Sequence, residues 1–223
     1  MIRLAIYDMD KTLTRRATFN PFLSHAVRRL APWRVVFLPV VGAALAAYAL
    51  KRIDRGRLKE LSQRWLLGPH IAPTKLAPLA DGFAEQTLAT NIYPQALERL
   101  AADRADGYRL VLATASNRHY VEAIARRLGF DAVIATDSMI GLDSRVSAMI
   151  DGENCYGPAK LRMIQAWMAG QGIARDEATI RFYSDHASDE PALAWADEAF
   201  AVNAHDRLRR LAAARGWRRI DWR

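Results

Sequence analysis

The chain opens with MIRLAIYDMDKTLT, residues 1–14, in which the apolar run LAIY (residues 4–7) stops at Asp8-Met9-Asp10. A short apolar run bounded by polar residues predicts a buried strand of a parallel sheet. In open α/β sheets, ligands bind at the carboxyl ends of the strands, which is where these two aspartates fall. In an extended backbone Asp8 and Asp10 would point the same way, and such close carboxylates favour a cation such as Mg²⁺ between them. A solvated acidic turn is the alternative for this pattern alone.

Length and composition indicate one domain with an insertion, or two small domains, with enough apolar residues for a core. The 223 residues are 51% hydrophobic and carry a formal charge of +8. This charge favours an anionic ligand such as a nucleic acid, an anionic membrane or a phosphorylated substrate. The single cysteine, Cys155, excludes an internal disulfide framework and is typical of a reducing compartment. No signal-peptide pattern precedes the first acidic residues, so a cytoplasmic location is expected.

The stretch after the first motif is basic and contains a long apolar segment. From Lys11 to Ile53 no aspartate or glutamate occurs, whereas arginine is frequent. Within this stretch VVFLPVVGAALAAYAL (residues 35–50) is uncharged and has basic residues on both sides. The segment is shorter than the about 18 apolar residues of a spanning helix, and Pro39 should kink it. Three interpretations stay open: a buried or partner-facing helix, an interfacial segment on a membrane surface, and a spanning helix.

Helical spacing returns after the apolar segment, and an alternating pattern follows. Leu58, Leu61, Trp65 and Leu66 would form the apolar side of a helix over residues 57–67, and another helix is expected from about residue 79 to 90. From Tyr93 onward, helices and strands alternate, which indicates a parallel sheet covered by helices on both faces. The expected strands are 109–113, 132–135, 179–183 and 199–202, and the expected helices are 94–105, 121–128, 160–169 and 206–214.

Polar residues able to handle a phosphate or a metal follow the expected strands one after another, and a lysine begins a helix between them. Each residue alone has an ordinary explanation as a helix cap, a turn residue or a solvated lysine. Together, in this order, they predict one site at the carboxyl edge of the sheet. The set consists of Asp8, Asp10, Thr114, Lys160, Asp185 and Asp189.

These residues carry a resemblance to a known family. DMDKT (8–12), LATAS (112–116), Lys160 and SDHASD (184–189) resemble the four motifs of the haloacid dehalogenase (HAD) superfamily of phosphohydrolases. NCYGPAK (154–160) is similar to the lysine segment of subfamily IB, the phosphoserine-phosphatase-like branch. The chain departs from many relatives at Lys11 and Ser184, where glycine is common.

The resemblance implies a fold and a domain division. The fold is α/β, with a Rossmann-like parallel sheet forming the HAD core and an inserted helical cap domain. The core would comprise residues 1–13 and 91–223, and the cap residues 14–90. In its composition the cap resembles that of phosphatidylglycerophosphatase C, a lipid phosphatase of the same superfamily.

The resemblance also implies the two acid roles and the metal. Asp8 would attack the phosphorus atom and form an aspartyl-phosphate, which requires the charge of the phosphate to be screened. Mg²⁺ held by Asp8, the backbone carbonyl of Asp10 and Asp185 would provide that screening. Asp10 would protonate the leaving alkoxide and then deprotonate the attacking water.

The remaining motif residues would bind the phosphate. The Thr114 hydroxyl and the Ala115 N–H would contact phosphate oxygens, and Lys160 would neutralise both the nucleophile and the transferring group. Asp189 would act in the second coordination sphere, orienting Lys160 or a metal-bound water. A cap over these residues would exclude water and recognise the leaving group.

The favoured function is a Mg²⁺-dependent phosphomonoester phosphatase acting on a phosphorylated small molecule or a phospholipid. An arginine-rich, apolar cap suits a lipid phosphate such as phosphatidylglycerophosphate. Phosphoserine ranks lower because no acidic residue after the first motif can pair with its ammonium. The alternatives are a phosphoserine or other small-metabolite phosphatase, a phosphotransferase, and a non-catalytic regulatory protein of the same fold. We expect a cytoplasmic protein, with peripheral contact to the anionic inner face of the membrane, and no nucleic-acid partner.

Overall fold

The computed structural model describes residues 1–222, so the last residue of the expected core range lies outside the described part. Eight strands form one sheet in the order β2-β5-β4-β3-β1-β6-β7-β8. The strands are β1 (Ile2–Tyr7), β2 (His70–Ile71), β3 (Arg109–Asn117), β4 (Ala132–Ile140), β5 (Val146–Asp151), β6 (Ala178–Ser184), β7 (Glu198–Val202) and β8 (Arg218–Ile220). The helices are α1 (Phe19–Leu30), α2 (Leu38–Ala49), α3 (Arg55–Leu66), α4 (Pro73–Thr90), α5 (Pro94–Ala105), α6 (Arg118–Leu128), α7 (Pro158–Gly170), α8 (Glu190–Trp195) and α9 (Asp206–Arg215).

β1 lies at the centre of the sheet and pairs in parallel with β3 and β6. Leu4 and Ile6 pack into one apolar cluster, and Ala5 and Tyr7 pack into another. This alternation shows that β1 is buried on both faces, as the apolar run predicted. The pairs β3–β4, β6–β7 and β7–β8 are parallel too, whereas β5 runs antiparallel to β4 and β2. The predicted α/β class with a mostly parallel sheet is therefore confirmed.

A buried polar network holds the ends of β1 and β6 together. The hydroxyls of Tyr7 and Tyr183 both donate to Asp103, whose side chain is fully buried. Arg99 and Arg181 form ion pairs with the same carboxylate at 2.8 and 2.7 Å. A buried carboxylate needs such partners, because leaving it unpaired would cost several kcal/mol. The network fixes the two strands that are followed directly by Asp8 and Asp185.

The helices α1 to α4 are inserted between β1 and α5. The chain leaves and re-enters the sheet layer through two adjacent segments, which the bridge between Thr14 and Ile92 joins. The Arg15 N–H donates to Asn91 O at 2.7 Å next to this bridge. Such paired crossing points are typical of an insertion in a continuous fold. The domain boundaries at 13/14 and 90/91 stay a prediction.

The apolar segment is exposed, so the buried-helix interpretation is wrong for this chain by itself, and the partner-facing, interfacial and spanning interpretations stay open. It forms a 3₁₀ helix at Pro32–Phe37 and then α2, in which Ala44 is the one buried residue. Pro39 lies in the first turn of α2, where its missing N–H is harmless, so it does not kink the helix. By length and composition only, Pro32–Ala49 could cross a membrane, with 18 residues and a mean hydropathy of 1.4.

Several element boundaries and one helix face also differ from expectation. Of the predicted apolar side of α3, Leu66 is buried, whereas Leu58, Leu61 and Trp65 are only half-buried. The other buried residues of α3 are polar, and among them Lys59 bonds to Ala115 O and Asn154 Oδ1 beside the site. α4 begins at Pro73 instead of near residue 79, since proline is well placed at the first helical position. β3 and β4 run past their predicted ends, and the β4–β5 hairpin was not predicted.

Candidate active site

The predicted site residues all line one cavity of about 160 Å³. The cavity lies at the carboxyl ends of β1, β3 and β6, with the start of α7 beside them. The parallel pairing of these strands brings their carboxyl ends to the same edge of the sheet. The residues brought together are Asp8, Asp10, Thr114, Ala115, Lys160, Asp185 and Asp189.

Lys160 bridges two carboxylates at the floor of the cavity. Its Nζ donates to Asp8 Oδ1 at 2.7 Å and to Asp189 Oδ2 at 2.5 Å. Burial alone would lower the pKa of Lys160, but the carboxylates of Asp189 and Asp8 outweigh it and raise that pKa. The Ser184 hydroxyl also donates to Asp189 Oδ2 at 2.8 Å. Lys160 is therefore a fixed positive charge beside Asp8, oriented by Asp189.

Asp8 and Asp185 converge on the hydroxyl of Thr12. Thr12 Oγ1 lies 3.2 Å from Asp8 Oδ2 and 3.5 Å from Asp185 Oδ1, and it accepts from the Asp185 N–H. Burial raises the pKa of Asp8 to about 6, although Lys160 opposes the shift. Burial, with the Asp8 charge adding to it, raises the pKa of Asp185 to about 8. Lys160 does not neutralise all these carboxylates, so the site favours a further cation.

Asp10 lines the same cavity as Asp8, but the extended backbone assumed for the pair ends before it. β1 ends at Tyr7 and Asp10 lies in a turn, so the alternation of side chains stops before it. Asp10 Oδ1 accepts from the N–H and hydroxyl of Thr18, both at 2.8 Å, and Oδ2 accepts from Ser116 Oγ at 2.9 Å. These bonds hold the carboxyl group at the cavity wall.

The donor set fits a hydrated Mg²⁺ rather than a metal held by protein side chains alone. Among residues 1–222 no group of three or more His, Cys, Asp or Glu side chains is placed to hold a metal ion. Mg²⁺ commonly keeps several waters and binds through one or two carboxylates, which Asp8 and Asp185 can supply. Asp189 Oδ1 is buried and lacks a hydrogen-bond partner in the described chain, so it can accept from such a water.

A β-bulge shapes the end of β3. The pairing of β3 with β4 shifts register between Thr114 and Asn117, so Ala115 and Ser116 fall outside the regular ladder. The Ser116 N–H donates to Thr114 Oγ1 at 3.1 Å. Bulges often occur next to active sites because they redirect side chains and free backbone groups. Here the bulge places Thr114 and Ala115 on the cavity wall.

Sequence reasoning missed the buried Lys59 of α3. Its Nζ donates to Ala115 O and, at 2.8 Å, to Asn154 Oδ1, so it fastens α3 to the bulge. Burial, with the charge of Arg55 adding to it, lowers the pKa of Lys59 to about 7. The sequence did contain one indication of a polar buried face. Lys59, Ser62 and Gln63 follow the i, i+3, i+4 spacing that places residues on one face of a helix.

Cys155 is a structural residue. The thiol is fully buried, and burial raises its pKa to about 12. A thiol with such a pKa supplies almost no thiolate at neutral pH and is a poor nucleophile. Its N–H donates to Thr136 Oγ1 at 3.1 Å, which ties the segment before α7 to β4.

The cavity has further lining residues that the motifs did not include. Arg55 comes from the start of α3, and its guanidinium lies 4.6 Å from the ring centroid of Tyr156. Ala17 comes from the segment before α1. The others are Lys11, His186 and Ser188. No pattern in the sequence singled out Arg55, because it lies far along the chain from every motif.

Comparison with known proteins identifies related sequences and a related structure. The family model for haloacid dehalogenase-like hydrolases matches residues 5–194. Protein CicA of Caulobacter vibrioides is 32% identical over 204 residues, which are 87% of this chain and 83% of that protein. Phosphoserine phosphatase SerB1 of Mycobacterium tuberculosis is 29% identical over 224 residues, covering 98% and 70%. The crystal structure of a protein of unknown function from Bordetella pertussis Tohama I superimposes with a TM-score of 0.86, at 26% identity and 99% coverage of both chains.

Proposed function

The chain belongs to the haloacid dehalogenase-like hydrolases, and from that premise we propose a Mg²⁺-dependent phosphomonoester phosphatase that works through an aspartyl-phosphate on Asp8. A relative named as a phosphoserine phosphatase supports the phosphatase activity. The observation that carries the proposal is the bridge from Lys160 to Asp8 and Asp189, in one cavity with Asp10, Thr114 and Asp185.

Asp8 acts as the nucleophile in the proposed first step. The charge of Lys160 favours the carboxylate form of Asp8 and attracts the phosphate dianion. An oxygen of Asp8 attacks phosphorus, and the bond from phosphorus to the ester oxygen breaks. Bound Mg²⁺ supplies positive charge that offsets the repulsion between this carboxylate and the phosphate. The Thr114 hydroxyl and the Ala115 N–H bind phosphate oxygens at the bulge.

Asp10 moves the protons in both steps. It donates a proton to the leaving ester oxygen and then takes one from the water that hydrolyses the acyl phosphate on Asp8. Ser116 and Thr18 hold the carboxyl group in place through their hydrogen bonds. Asp189 keeps Lys160 aimed at Asp8 throughout. The products are the alcohol and inorganic phosphate.

Activity should require Mg²⁺ and disappear with EDTA, and Asp185→Ala should lose it by weakening metal binding. The metal-free chain buries two converging carboxylates, so Mg²⁺ should also raise the melting temperature. At 100 times its dissociation constant, a bound ion adds about 2.7 kcal/mol of stability. Phosphate release and the melting temperature, measured for the unsubstituted protein and for Asp185→Ala with millimolar Mg²⁺ or with EDTA, test both expectations. Full activity in metal-free buffer would contradict the proposed site.

The charges of the cap residues at the cavity favour a substrate without an ammonium group. The cap residues lining the cavity are Ala17 and Arg55, so the cap offers no carboxylate there to the ammonium of phosphoserine. Glu153, the acidic residue best placed in the sequence to substitute, forms a salt bridge with Arg162 at 2.5 Å and does not line the cavity. We therefore propose a lipid phosphate such as phosphatidylglycerophosphate, with small polyol or sugar phosphates next and phosphoserine last.

Phosphatidylglycerophosphate in detergent micelles should give a higher kcat/KM than L-phosphoserine. The expected cause is an arginine-rich cap that stabilises an anionic leaving group and leaves an ammonium unpaired. Initial rates of phosphate release for both substrates in the same detergent measure the ratio. A tenfold preference for phosphoserine, about 1.4 kcal/mol in transition-state binding, would sink this substrate assignment.

Two other functions share the fold. In a phosphotransferase the phosphoryl group on Asp8 passes to an alcohol instead of water, and product analysis with an added alcohol separates the two. A non-catalytic regulatory protein does not need its reacting groups, whereas here Asp8, Asp10 and Lys160 are all present in one cavity. Hydrolysis therefore remains the proposed activity.

We also propose a cytoplasmic protein that contacts the inner face of the membrane through the segment Pro32–Leu50. Val36, Leu38, Leu45 and Leu50 are each more than half exposed, which is costly in water and favourable at a lipid interface. Arginines before the segment and basic residues after it would attract anionic lipid to both of its ends.

The protein should co-sediment with anionic vesicles at low salt and dissociate as salt rises. Salt shortens the screening length from about 10 Å at 0.1 M to about 3 Å at 1 M, which weakens the attraction of the basic flanks. Leu45→Asp should reduce binding. Leu97→Asp should not, because this exposed leucine lies on α5, outside the segment. Protein that stays in the supernatant at low salt would favour a protein partner for this face.

A further inference from the structure

Two cationic side chains line the cavity in addition to Lys160. Lys11 follows Asp10, and Arg55 is the first residue of α3. Neither forms a salt bridge with any residue from 1 to 222, and the guanidinium of Arg55 lies over the ring of Tyr156. Lys160, in contrast, is fully engaged by Asp8 and Asp189. Lys11 and Arg55 are therefore available to a ligand in the cavity.

The backbone of Lys11 is strained. Its φ of 62° lies in the left-handed region, which glycine adopts easily and lysine does not. The conformation is held by a bond from the Lys11 N–H to Thr14 Oγ1 and by one from Asn203 Nδ2 to Lys11 O, both at 3.1 Å. Glycine would relieve the strain, so a lysine here points to a use for its side chain. That side chain is exposed at the cavity edge.

Arg55 stands between the reacting carboxylates and the apolar cap segment. With Tyr156 it lines the catalytic cavity and also the neighbouring groove, which extends to Tyr48 near the end of α2. A leaving group that extends from the cavity along this groove would pass Arg55. In the proposed reaction Thr114, Ala115 and Lys160 bind the phosphate end, so Lys11 and Arg55 remain for the group attached to it.

We infer that Lys11 and Arg55 form a subsite for a second anionic group on the leaving group. The inference rests on the proposed phosphatase function, because it assigns the binding of the alcohol part in that reaction. The substrate class is a phosphomonoester whose alcohol carries a carboxylate or a phosphodiester a few bonds from the scissile oxygen. An arginine fork matches either oxyanion, and a lysine adds a compact charge beside it. An ammonium on the alcohol would be repelled.

Binding to the Asp8→Asn protein tests the subsite without turnover. Calorimetry with Mg²⁺ compares 3-phosphoglycerate with sn-glycerol 3-phosphate, which differ by a carboxylate in place of a hydroxymethyl group. We expect binding at least about tenfold tighter for the carboxylate, or about 1.4 kcal/mol. Lys11→Gly and Arg55→Gln, each added to this background, should reduce the preference at least threefold. Glycerophosphoglycerol phosphate, which carries a phosphodiester, is measured in the same way. Its affinity relative to that of 3-phosphoglycerate shows whether the subsite prefers a phosphodiester or a carboxylate.

Lys51→Gly is the matched control. Lys51 also has a positive φ, 56°, so the change removes the same charge and the same kind of strain outside the cavity. It should leave the preference for 3-phosphoglycerate over sn-glycerol 3-phosphate unchanged. Equal binding of all three ligands, or a preference that survives both cavity substitutions, would overturn the subsite.

Turnover by the protein with Asp8 intact separates this inference from the proposed function. Hydrolysis of every ligand with no preference for a second anion rejects the subsite and keeps the phosphatase. The expected binding preference without hydrolysis of any ligand keeps the subsite and rejects the phosphatase. The expected result is faster hydrolysis of ligands with the second anion, reduced by Lys11→Gly or Arg55→Gln.

Discussion

Asp8→Asn is expected to abolish turnover while leaving the fold intact. The amide is nearly isosteric with the carboxylate, so it can keep contact with Lys160 and Thr12 in the same buried position. It is a far poorer nucleophile, because it carries no charge and its oxygen is weakly basic. We expect a loss of at least about 10⁴-fold in kcat, which corresponds to about 5 kcal/mol in the barrier.

Phosphate release and intact-protein mass measure this prediction together. Under acid quench, the unsubstituted protein should carry one phosphoryl group during turnover, and Asp8→Asn should carry none. Circular dichroism and the melting temperature show whether the variant is folded. Lys160 keeps its ion pair with Asp189, so a large loss of stability is not expected. Activity within tenfold, a change of about 1.4 kcal/mol, would mean that another group attacks phosphorus.

The sequence was sufficient to predict that the motif residues meet at one cavity, although not the rest of its lining. That outcome depends on two local facts, the apolar run before Asp8 and the occurrence of polar residues at successive strand ends. Parallel strands bring their carboxyl ends to one edge of the sheet. Thr114 and Asp185, which lie at the ends of their strands, were therefore expected at the same edge as Asp8. Lys160 was predicted from its motif, and in the structure the turn at Gly157, which has a positive φ, precedes the helix that carries it.

Side-chain direction could not be predicted in the same way. Asp10 turns toward Ser116, because the strand ends one residue before Asp8 and bonds from distant elements orient the turn. The buried face of α3 is polar except for Leu66, and Lys59 on it bonds to the bulge of β3, a partner that helical periodicity cannot reveal. The exposure of the apolar segment likewise depends on tertiary packing, which its own sequence does not determine. Its composition is that of a core helix, but in this chain Ala44 is the one residue of α2 that becomes buried.

Asp10→Asn is expected to slow hydrolysis of alkyl phosphates by about 10² to 10⁴-fold, the usual contribution of a general acid–base residue. The fold should survive, because the Thr18 donors can still bond to the amide oxygen and the Ser116 hydroxyl can accept from the amide nitrogen. An alkoxide leaves only if it is protonated, whereas 4-nitrophenolate hardly needs a proton.

The two steps of turnover should therefore respond differently to the Asp10→Asn change. With 4-nitrophenyl phosphate the variant should form the phosphoenzyme at nearly the normal rate and then hydrolyse it slowly, because activation of water still requires the missing base. Rapid-quench measurement should show a burst of nitrophenolate followed by slow steady-state release. With an alkyl phosphate the burst should be absent, because the first step has become slow. Equal losses for alkyl and aryl phosphates, with formation of the phosphoenzyme rate-limiting for both, would show that Asp10 does not protonate the leaving group.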